Sequence, residues 1–550
     1  MVGAISLIEE YQRPIVAALF MLIIISALYF SFTHFEGPSE YGDDPNYLYI
    51  ASGVLHGNFH LDPGYIFSTR LTEAFAIAFF YYLFGINNLS SSLWNITSYI
   101  GIIIVTFLFV RMLYDDKAAL LSAFVASIFP IVTEYAVNIG EDIPLTFLCS
   151  LAILLFLYGE RLKSKAYYFC SGALLVAAWL TSYEAGIVIA FVLLYGFIEI
   201  IRKKAKLDRT GIFFVYGIAV MFLIVFAFSQ MNAKAPFITI TENLRFYSGV
   251  GTKVNGLPTI PSTNQDLMYY PRSMFPYEII QMISHQGVVG AVENLVALIV
   301  SPMQNSEFGF YFYLVLPIML TLLLLREKRA YFAIFWFTML FLALEFGPMH
   351  LGISTNPLRI DYLPAYRLNR FLLVLTVPLA GIIGIGLAKL LESKDKYVLL
   401  LGALAVCMVL TVLYLANYNT SNFYYYWQHY PQELVMQAVN FIKTLPATTT
   451  VYLEGTYNNA NVGYSSSEIN TYLGNPQGNR VNFSITASTG CSAFAANSYV
   501  IWSGSPHCAS WRNVLDIKTP DDIPAFIVQD ENPLLNYRPT NIYYVEPQNS

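Results

Sequence analysis

Charge is what this chain has least of. Asp, Glu, Lys and Arg make up 12% of its 550 residues, about half of what a soluble domain of ordinary composition carries. Hydrophobic residues make up 56%, so the chain is read as a polytopic membrane protein. Cysteine is scarce too: five residues are too few for a disulfide framework. Cys149, Cys170 and Cys407 fall in apolar runs and read as small core residues. Cys491 and Cys508 fall in the polar tail and could pair if that tail is extracytoplasmic. The seven histidines show no metal spacing: His56 and His60 are four apart, but Gly57 between them weakens a shared helix. There is no P-loop, no GxSxG elbow, no internal repeat and no basic patch of the kind that binds nucleic acid. The first apolar run, Ile15 to Phe32, lacks a small-residue cleavage site and reads as a span rather than a signal peptide.

What is present is a series of apolar runs near 14–32, 93–110, 117–133, 143–159, 166–181, 185–201, 211–230, 308–325, 330–347, 370–390 and 397–416. At about 20 residues per span, they predict eleven transmembrane helices. Two shorter stretches, 71–86 and 288–303, read as interfacial helices and would raise the count to thirteen if they crossed. Five short polar breaks, at Arg111–Lys117, Arg161–Lys165, Arg202–Arg209, Arg326–Arg329 and Lys389–Lys396, hold 16 of the 30 Lys and Arg. The positive-inside rule puts them in the cytoplasm. Eleven spans then alternate consistently, with the N-terminus inside and the C-terminus outside.

The outer face receives the first loop 33–92, a short loop at 134–142, the turn Thr181–Glu184, a long loop 231–307, the stretch 348–369 and the tail. Acidic residues collect on that face: Asp43, Asp44, Asp62, Glu73, Glu134, Glu141, Asp142, Glu184, Asp266 and Asp361. From 417 to 550 the texture turns soluble. Pro431 to Leu445 reads as an amphipathic helix. Strand-like runs follow at Thr450–Leu453, Val481–Thr486, Tyr499–Trp502, Ala525–Val528 and Asn541–Val545. That is enough chain for one small α/β or α+β domain. The organisation read from sequence is thus a transmembrane domain over 1–416 and a soluble extracytoplasmic domain over 417–550.

Two acidic pairs sit at the mouths of spans on this face. Asp43-Asp44-Pro45 opens a Tyr-rich helix through Leu55, and local capping by Asp43 accounts for part of it. A carboxylate there could also deprotonate an incoming hydroxyl or hold a divalent ion such as Mg or Mn. Glu141-Asp142-Ile143-Pro144 opens the fourth span, where acids favour the helix dipole. Among the basic residues on the outer face, Arg367 and Arg370 are three apart before the span beginning at Phe371. For most of these cations, snorkelling to lipid headgroups is the simpler account.

The order of these residues resembles the GT-C glycosyltransferases, and within them the protein O-mannosyltransferase and lipid A aminoarabinose transferase branch. The likeness rests on Asp43, Asp44, Tyr47 and Ala51 in the first outer loop and on Gly64 to Arg70 leading into LTEAFAIAFFYYLFG. It continues with Asp142-Ile-Pro-Leu and with Tyr366-Arg367 through Arg370-Phe371. It spans roughly residues 10–390. It implies inverting transfer of a sugar from a polyprenyl (dolichyl-type) phosphate donor to a protein or lipid-linked glycan at the outer membrane face. By that carry-over Asp43 is the base. Asp44, Glu141 and Asp142 support it, Asp43 and Asp142 are the candidate metal ligands, and Arg70, Arg370 and Arg367 lie near the donor phosphate.

The chain also departs from the family. Thr181-Ser182-Tyr183-Glu184 stands where many relatives carry Thr-Lys, which removes an expected cation, and the tail lacks a WWDYG-type motif. The second absence argues against transfer of a whole oligosaccharide to asparagine, although a divergent oligosaccharyltransferase-like enzyme remains an alternative. A transporter predicts charges within the spans and repeat symmetry, and neither stands out. An inactive scaffold whose tail binds glycans through Trp427, Trp502 and Trp511 is the other competitor. Asn88, Asn95, Asn419 and Asn482 are sequons. The Ile- and Tyr-rich composition fits a prokaryotic plasma membrane, archaeal or bacterial.

Overall fold

A computed structural model describes residues 2–35, 37, 43–203, 210–242, 309–346, 348–355, 358–364, 369–392, 395–446, 448–454, 472–473, 481–485, 491, 494–503, 508–517 and 540–547. Its helices run, in order, α1 (Val2–Thr33), α2 (Asp44–Leu55), α3 (Leu71–Phe84), α4 (Asn88–Leu113), α5 (Asp116–Ser127), α6 (Pro130–Val137) and α7 (Asp142–Leu162). They continue with α8 (Lys165–Trp179), α9 (Ala185–Lys203), α10 (Ile212–Ala233), α11 (Gly309–Leu324), α12 (Tyr331–Phe346), α13 (Thr376–Leu390) and α14 (Lys396–Thr444). Helices are what a chain this apolar must form, because they satisfy every backbone N–H and C=O without water. Polar residues set where several of them begin. Asn87 and Ser90 form a reciprocal capping box at α4, and the Asp115 and Asp395 carboxylates accept backbone N–H bonds at the starts of α5 and α14.

Among the described residues six helical segments are long and apolar enough to cross a membrane: Pro14–Thr33, Asn88–Leu113, Asp142–Leu162, Ile212–Ala233, Arg370–Leu390 and Lys396–Leu415. The expected span at 117–133 is built of two helices, α5 and α6, bent by 59°, which are apolar and long enough to cross only when taken together. Pro130 is the reason: it cannot continue a helix from α5 but is preorganised for the first turn of the next. Helix α3 has 14 residues, about 21 Å of rise, which is shorter than the hydrocarbon core. The stretch 288–303 lies outside the described residues.

Helices α4, α5, α7 and α13 form the centre, with Ile102, Phe109, Ala119, Ala123, Ile143, Ala152, Leu379 and Ile383 shut off from the surface. Close approach is made by small residues, as expected where lipid gives helices no hydrophobic reason to associate. A Cβ on Gly172 of α8 would lie 2.1 Å from the Phe214 carbonyl oxygen of α10, and one on Gly217 would meet the Phe169 carbonyl at the same distance. Large apolar side chains such as Leu22, Leu223 and Leu401 face outward, which suits a lipid-facing surface. Of the three free cysteines only Cys149 is buried. Cys170 and Cys407 lie on outward faces, a correction to their reading as core residues. An apolar run cannot by itself say which side of its helix meets lipid.

The structure differs from expectation in three further places. The amphipathic segment 431–445 is not a separate helix but the far end of α14, a 49-residue rod continuous with the last apolar segment. The stretch 348–369 contains an antiparallel hairpin of β1 (Pro348–Thr355) and β2 (Leu358–Pro364). The sheet carries a strand the pattern did not announce, β6 (Trp511–Ile517), while 525–528 lies outside the described residues. Strands β3 (Val451–Glu454), β4 (Val481–Ile485), β5 (Tyr499–Ser503) and β7 (Thr540–Val545) form at four of the five expected runs. The order is β4-β3-β5-β7-β6, with β3 parallel to both neighbours and β7 antiparallel to both of its own. Cys491 and Cys508 are joined in a disulfide.

One hydrophobic cluster ties this sheet to the membrane domain. Tyr47, Leu48 and Ala51 of α2, Ile77 and Tyr81 of α3, and Ile139 are buried with Ala438, Val439 and Ile442 of α14 and with Val451, Ile501 and Ile542 of the sheet. The start of α2 is therefore held from two sides.

Candidate active site

Asp43 occupies the position before α2, yet its carboxylate makes no capping hydrogen bond; the proline in the first turn and Asp44 inside it start the helix instead. The Asp43 side chain turns to Arg370, whose Nη1 donates to Oδ2 at 3.4 Å. The Nε of the same guanidinium lies 4.0 Å from Asp142 Oδ2. Arg370 thus stands between two carboxylates of the N-terminal third of the sequence, far from it along the chain. It enters from a 3-10 segment, Asn369–Leu375, that leads directly into α13.

A second ion pair lies deeper. Arg70 Nη1 pairs with Glu141 Oε1 and also donates to the Thr181 carbonyl at 3.4 Å. The Tyr47 hydroxyl donates to the other oxygen of Glu141. The side chains of Arg70 and Glu141 are 9% and 5% exposed, whereas those of Arg370 and Asp43 are 29% and 28% exposed. Only the Arg370–Asp43 pair can be reached from outside without moving the other.

The backbone around these groups is fixed by neutral hydrogen bonds. Asn95 of α4 donates to the carbonyls of Tyr135 and Gly140 at 3.2 and 3.1 Å, which sets the connection ahead of Glu141. The Asp44 carboxylate accepts from Ile139 N–H at 3.2 Å, so the second member of the first acidic pair holds that same connection. Tyr65 donates to Asn46 at 2.7 Å and orders the loop before Arg70.

The electrostatics separate the acids. Burial, and then the Glu141 charge, push the Asp43 carboxyl above the ordinary carboxylate range, against a smaller pull from Arg370 and Arg70. Burial would push Glu141 up as well, but Arg70 and Arg370 outweigh it and hold that carboxyl below the ordinary range. One acid is thus poised to accept a proton and the other is kept ionised.

Of the residues named from sequence, Asp43, Glu141, Asp142, Arg70 and Arg370 come together, and Asp44 sits beside them in a backbone-holding role. Arg367 lies outside the described residues. Two further acids join the group. Glu184, from the turn between α8 and α9, is buried and interacts with Asp142 and Glu141, and Glu73 of α3 accepts from the Trp94 indole at 3.1 Å. Their only signal in the sequence is membership of the acidic set on the outer face.

Residues 71–229 match the family described as dolichyl-phosphate-mannose-protein mannosyltransferase. No curated protein sequence matches significantly. ArnT from Cupriavidus metallidurans in the apo state is similar over 83% of this chain and 84% of its own, at 14% identity and a TM-score of 0.49. The same protein bound to undecaprenyl phosphate is similar over 95% and 97%, at 12% identity and 0.47. The Archaeoglobus fulgidus oligosaccharyltransferase, tethered through a disulfide to an acceptor peptide containing the NVT sequon, is similar over 88% of this chain and 69% of its own, at 12% identity and 0.51. At such identities the likeness is one of fold. Residues 71–229 are thus similar to that family, and the fold over 88% of the chain is similar to that of the Archaeoglobus oligosaccharyltransferase.

Proposed function

We propose that the chain transfers a single sugar, with inversion, from a polyprenyl-phosphate donor to a hydroxyl of a protein or lipid-linked glycan at the outer face of a prokaryotic plasma membrane. The observation that carries this reading is Asp43. It heads a helix that it does not cap, stays partly open to the surface, has a raised pKa and is gripped by an arginine at the end of a long apolar segment.

In the reaction the acceptor oxygen forms a bond to the anomeric carbon as the bond from that carbon to the phosphate oxygen breaks. Asp43 takes the acceptor proton and the lipid phosphate leaves from the opposite face with the electron pair. Arg370 has the reach to pass from Asp43 to a phosphate oxygen, and a guanidinium suits that partner. Arg367, three residues earlier, is proposed beside it on spacing alone. Arg70 is engaged with Glu141, so its part is to keep Glu141 and the start of α7 in place rather than to meet the donor. A divalent ion shared by Asp43 and Asp142 does not fit the site as arranged. A guanidinium stands between the two carboxylates, and among the described residues no three His, Cys, Asp or Glu side chains gather as a metal site requires. Such an ion could enter only with Arg370 withdrawn, and no step here depends on one.

The outward placement is supported by the basic cytoplasmic breaks and by the Cys491–Cys508 disulfide, since such bonds persist in oxidising compartments. The family match supports a mannosyl-type donor. Purified protein incubated with a panel of radiolabelled polyprenyl-phosphate sugars and envelope extract tests the proposal. Transfer of label from one donor is expected. Failure to transfer or bind any donor in the panel would favour the scaffold or transporter readings.

A further inference from the structure

The loop between α2 and α3 is fastened to a part of the chain that the proposed mechanism does not use. Residues 56–65 form neither helix nor strand, so their place is set by what they bond to. Leu61 N–H donates to Asn232 Oδ1 at 2.6 Å, and Asn232 Nδ2 donates to the Phe59 carbonyl at 3.3 Å. Gly64, at φ +95°, donates its N–H to Glu242 Oε2 at 2.8 Å. Asn232 lies in the last turn of α10, and the buried Glu242 lies in the helical turn that follows. Apolar contacts back these bonds: Phe59 packs on Phe75 and Phe228, and Leu61 is buried with Leu71, Val225 and Ile238. The far end of the same loop reaches the active site. The Tyr65 hydroxyl donates to Asn46 Oδ1 at 2.7 Å, and Asn46 N–H donates to the Asp43 carbonyl at 3.0 Å.

We propose that Asn232 and Glu242 are positioning residues for Asp43, acting through the loop they fasten and through Tyr65 and Asn46. The Asp43 carboxylate makes no capping bond and is partly exposed, so its aim depends on how the first turn of α2 is held. A general base works only within hydrogen-bond reach of its proton, and a displacement of about 1 Å can cost about 10²-fold in rate. At Leu61 and Gly64 the donors are backbone N–H groups, so the loop's own side chains carry no sign of the attachment. The inference rests on the proposed role of Asp43 and adds the residues that keep it in place.

The test uses full-length protein in detergent and four variants. Glu242→Met and Asn232→Leu remove the acceptors, Glu242→Gln keeps an acceptor oxygen, and Tyr65→Phe removes only the hydroxyl. Amide hydrogen exchange is read first, without substrate, over residues 58–66 and 43–49. In Glu242→Met, exchange should rise about fivefold in both segments, the effect of losing one hydrogen bond. Glu242→Gln should retain most of the protection. Tyr65→Phe should raise exchange over 43–49, and adding Glu242→Met to it should raise that segment no further. With the donor that the wild type uses, Glu242→Met should lower kcat by about 10- to 100-fold with donor KM unchanged, and Glu242→Gln should restore most of it. If Glu242→Met does not fold, Asn232→Leu takes its place. Faster exchange confined to 58–66, or a kcat that stays at the wild-type value, would overturn the proposal. The exchange arm needs no turnover, so its failure is distinct from a failure to transfer sugar.

Discussion

Replacing Arg70 by methionine separates two roles for that residue. In the structure its guanidinium is buried, paired with Glu141 and hydrogen-bonded to the Thr181 carbonyl. Methionine keeps the approximate length of the side chain and removes the charge, which leaves Glu141 ionised in a site closed to water. Breaking a buried ion pair in this way costs about 3–5 kcal/mol. The Tyr47 hydroxyl still donates to Glu141, which places the expectation near 3 kcal/mol, the lower end of that range. For a chain of this size the melting temperature in detergent should fall by roughly 2–4 °C. The double variant Arg70→Met/Glu141→Gln removes the stranded charge together with its partner and should recover much of the loss, with a coupling on the order of 1–3 kcal/mol. Melting curves of the wild type, both single variants and the double variant, read by intrinsic fluorescence, measure this directly. A melting point for Arg70→Met within 1 °C of wild type, or strictly additive single losses, would refute the pairing and return Arg70 to the set of donor-phosphate ligands.

Other outcomes follow from the same geometry. The transfer rate should fall on the acid side through an apparent pKa above the ordinary carboxylate value of about 3.9, because Asp43 must be ionised to act and its pKa is raised. Glu141→Gln removes one cause of that rise and should move the acid limb to lower pH, as a pH–rate profile would read. Glu141 itself titrates below its ordinary value, so its contribution to stability is complete above about pH 4.3 and is lost as pH falls further; acid melts of Glu141→Gln should lack that loss. Gly172→Ala drives a methyl group into the Phe214 carbonyl of α10 and should destabilise by about 1–3 kcal/mol, seen as a lower melting point. Cys508→Ser opens a loop closed across 17 residues and should cost the tail about 3 kcal/mol, read as faster proteolysis of the tail.

Much of the frame was legible in the sequence because the signals are local. Runs of apolar residues gave helices at every described position where a span was expected, and Pro45, Pro130 and Pro144 sit in first turns. The acidic pairs were legible as pairs. Their partners were not, because Asp43 and Arg370 are 327 residues apart and Tyr47 and Glu141 are 94 apart, and no periodicity links them. The reading of Asp43 as a helix cap fails for a similar reason: the position is right, but a guanidinium from a distant segment offers a stronger partner than a backbone N–H. The division of labour within Asp43-Asp44 was equally hidden, since only the folded connection at Ile139 shows which acid is structural. Strand β6 escaped because Trp511, Arg512 and Asn513 interrupt the alternation that marks a half-buried strand.

The central claim is that Asp43 accepts the acceptor proton. The most direct measurement compares single-turnover transfer by wild type, Asp43→Asn and Asp43→Glu with the donor that the wild type uses, after melting curves establish that all three are folded. The account predicts that Asp43→Asn loses about 10²–10⁴-fold in rate while still binding donor, and that Asp43→Glu retains part of the activity. Equal transfer by wild type and a folded Asp43→Asn would contradict it.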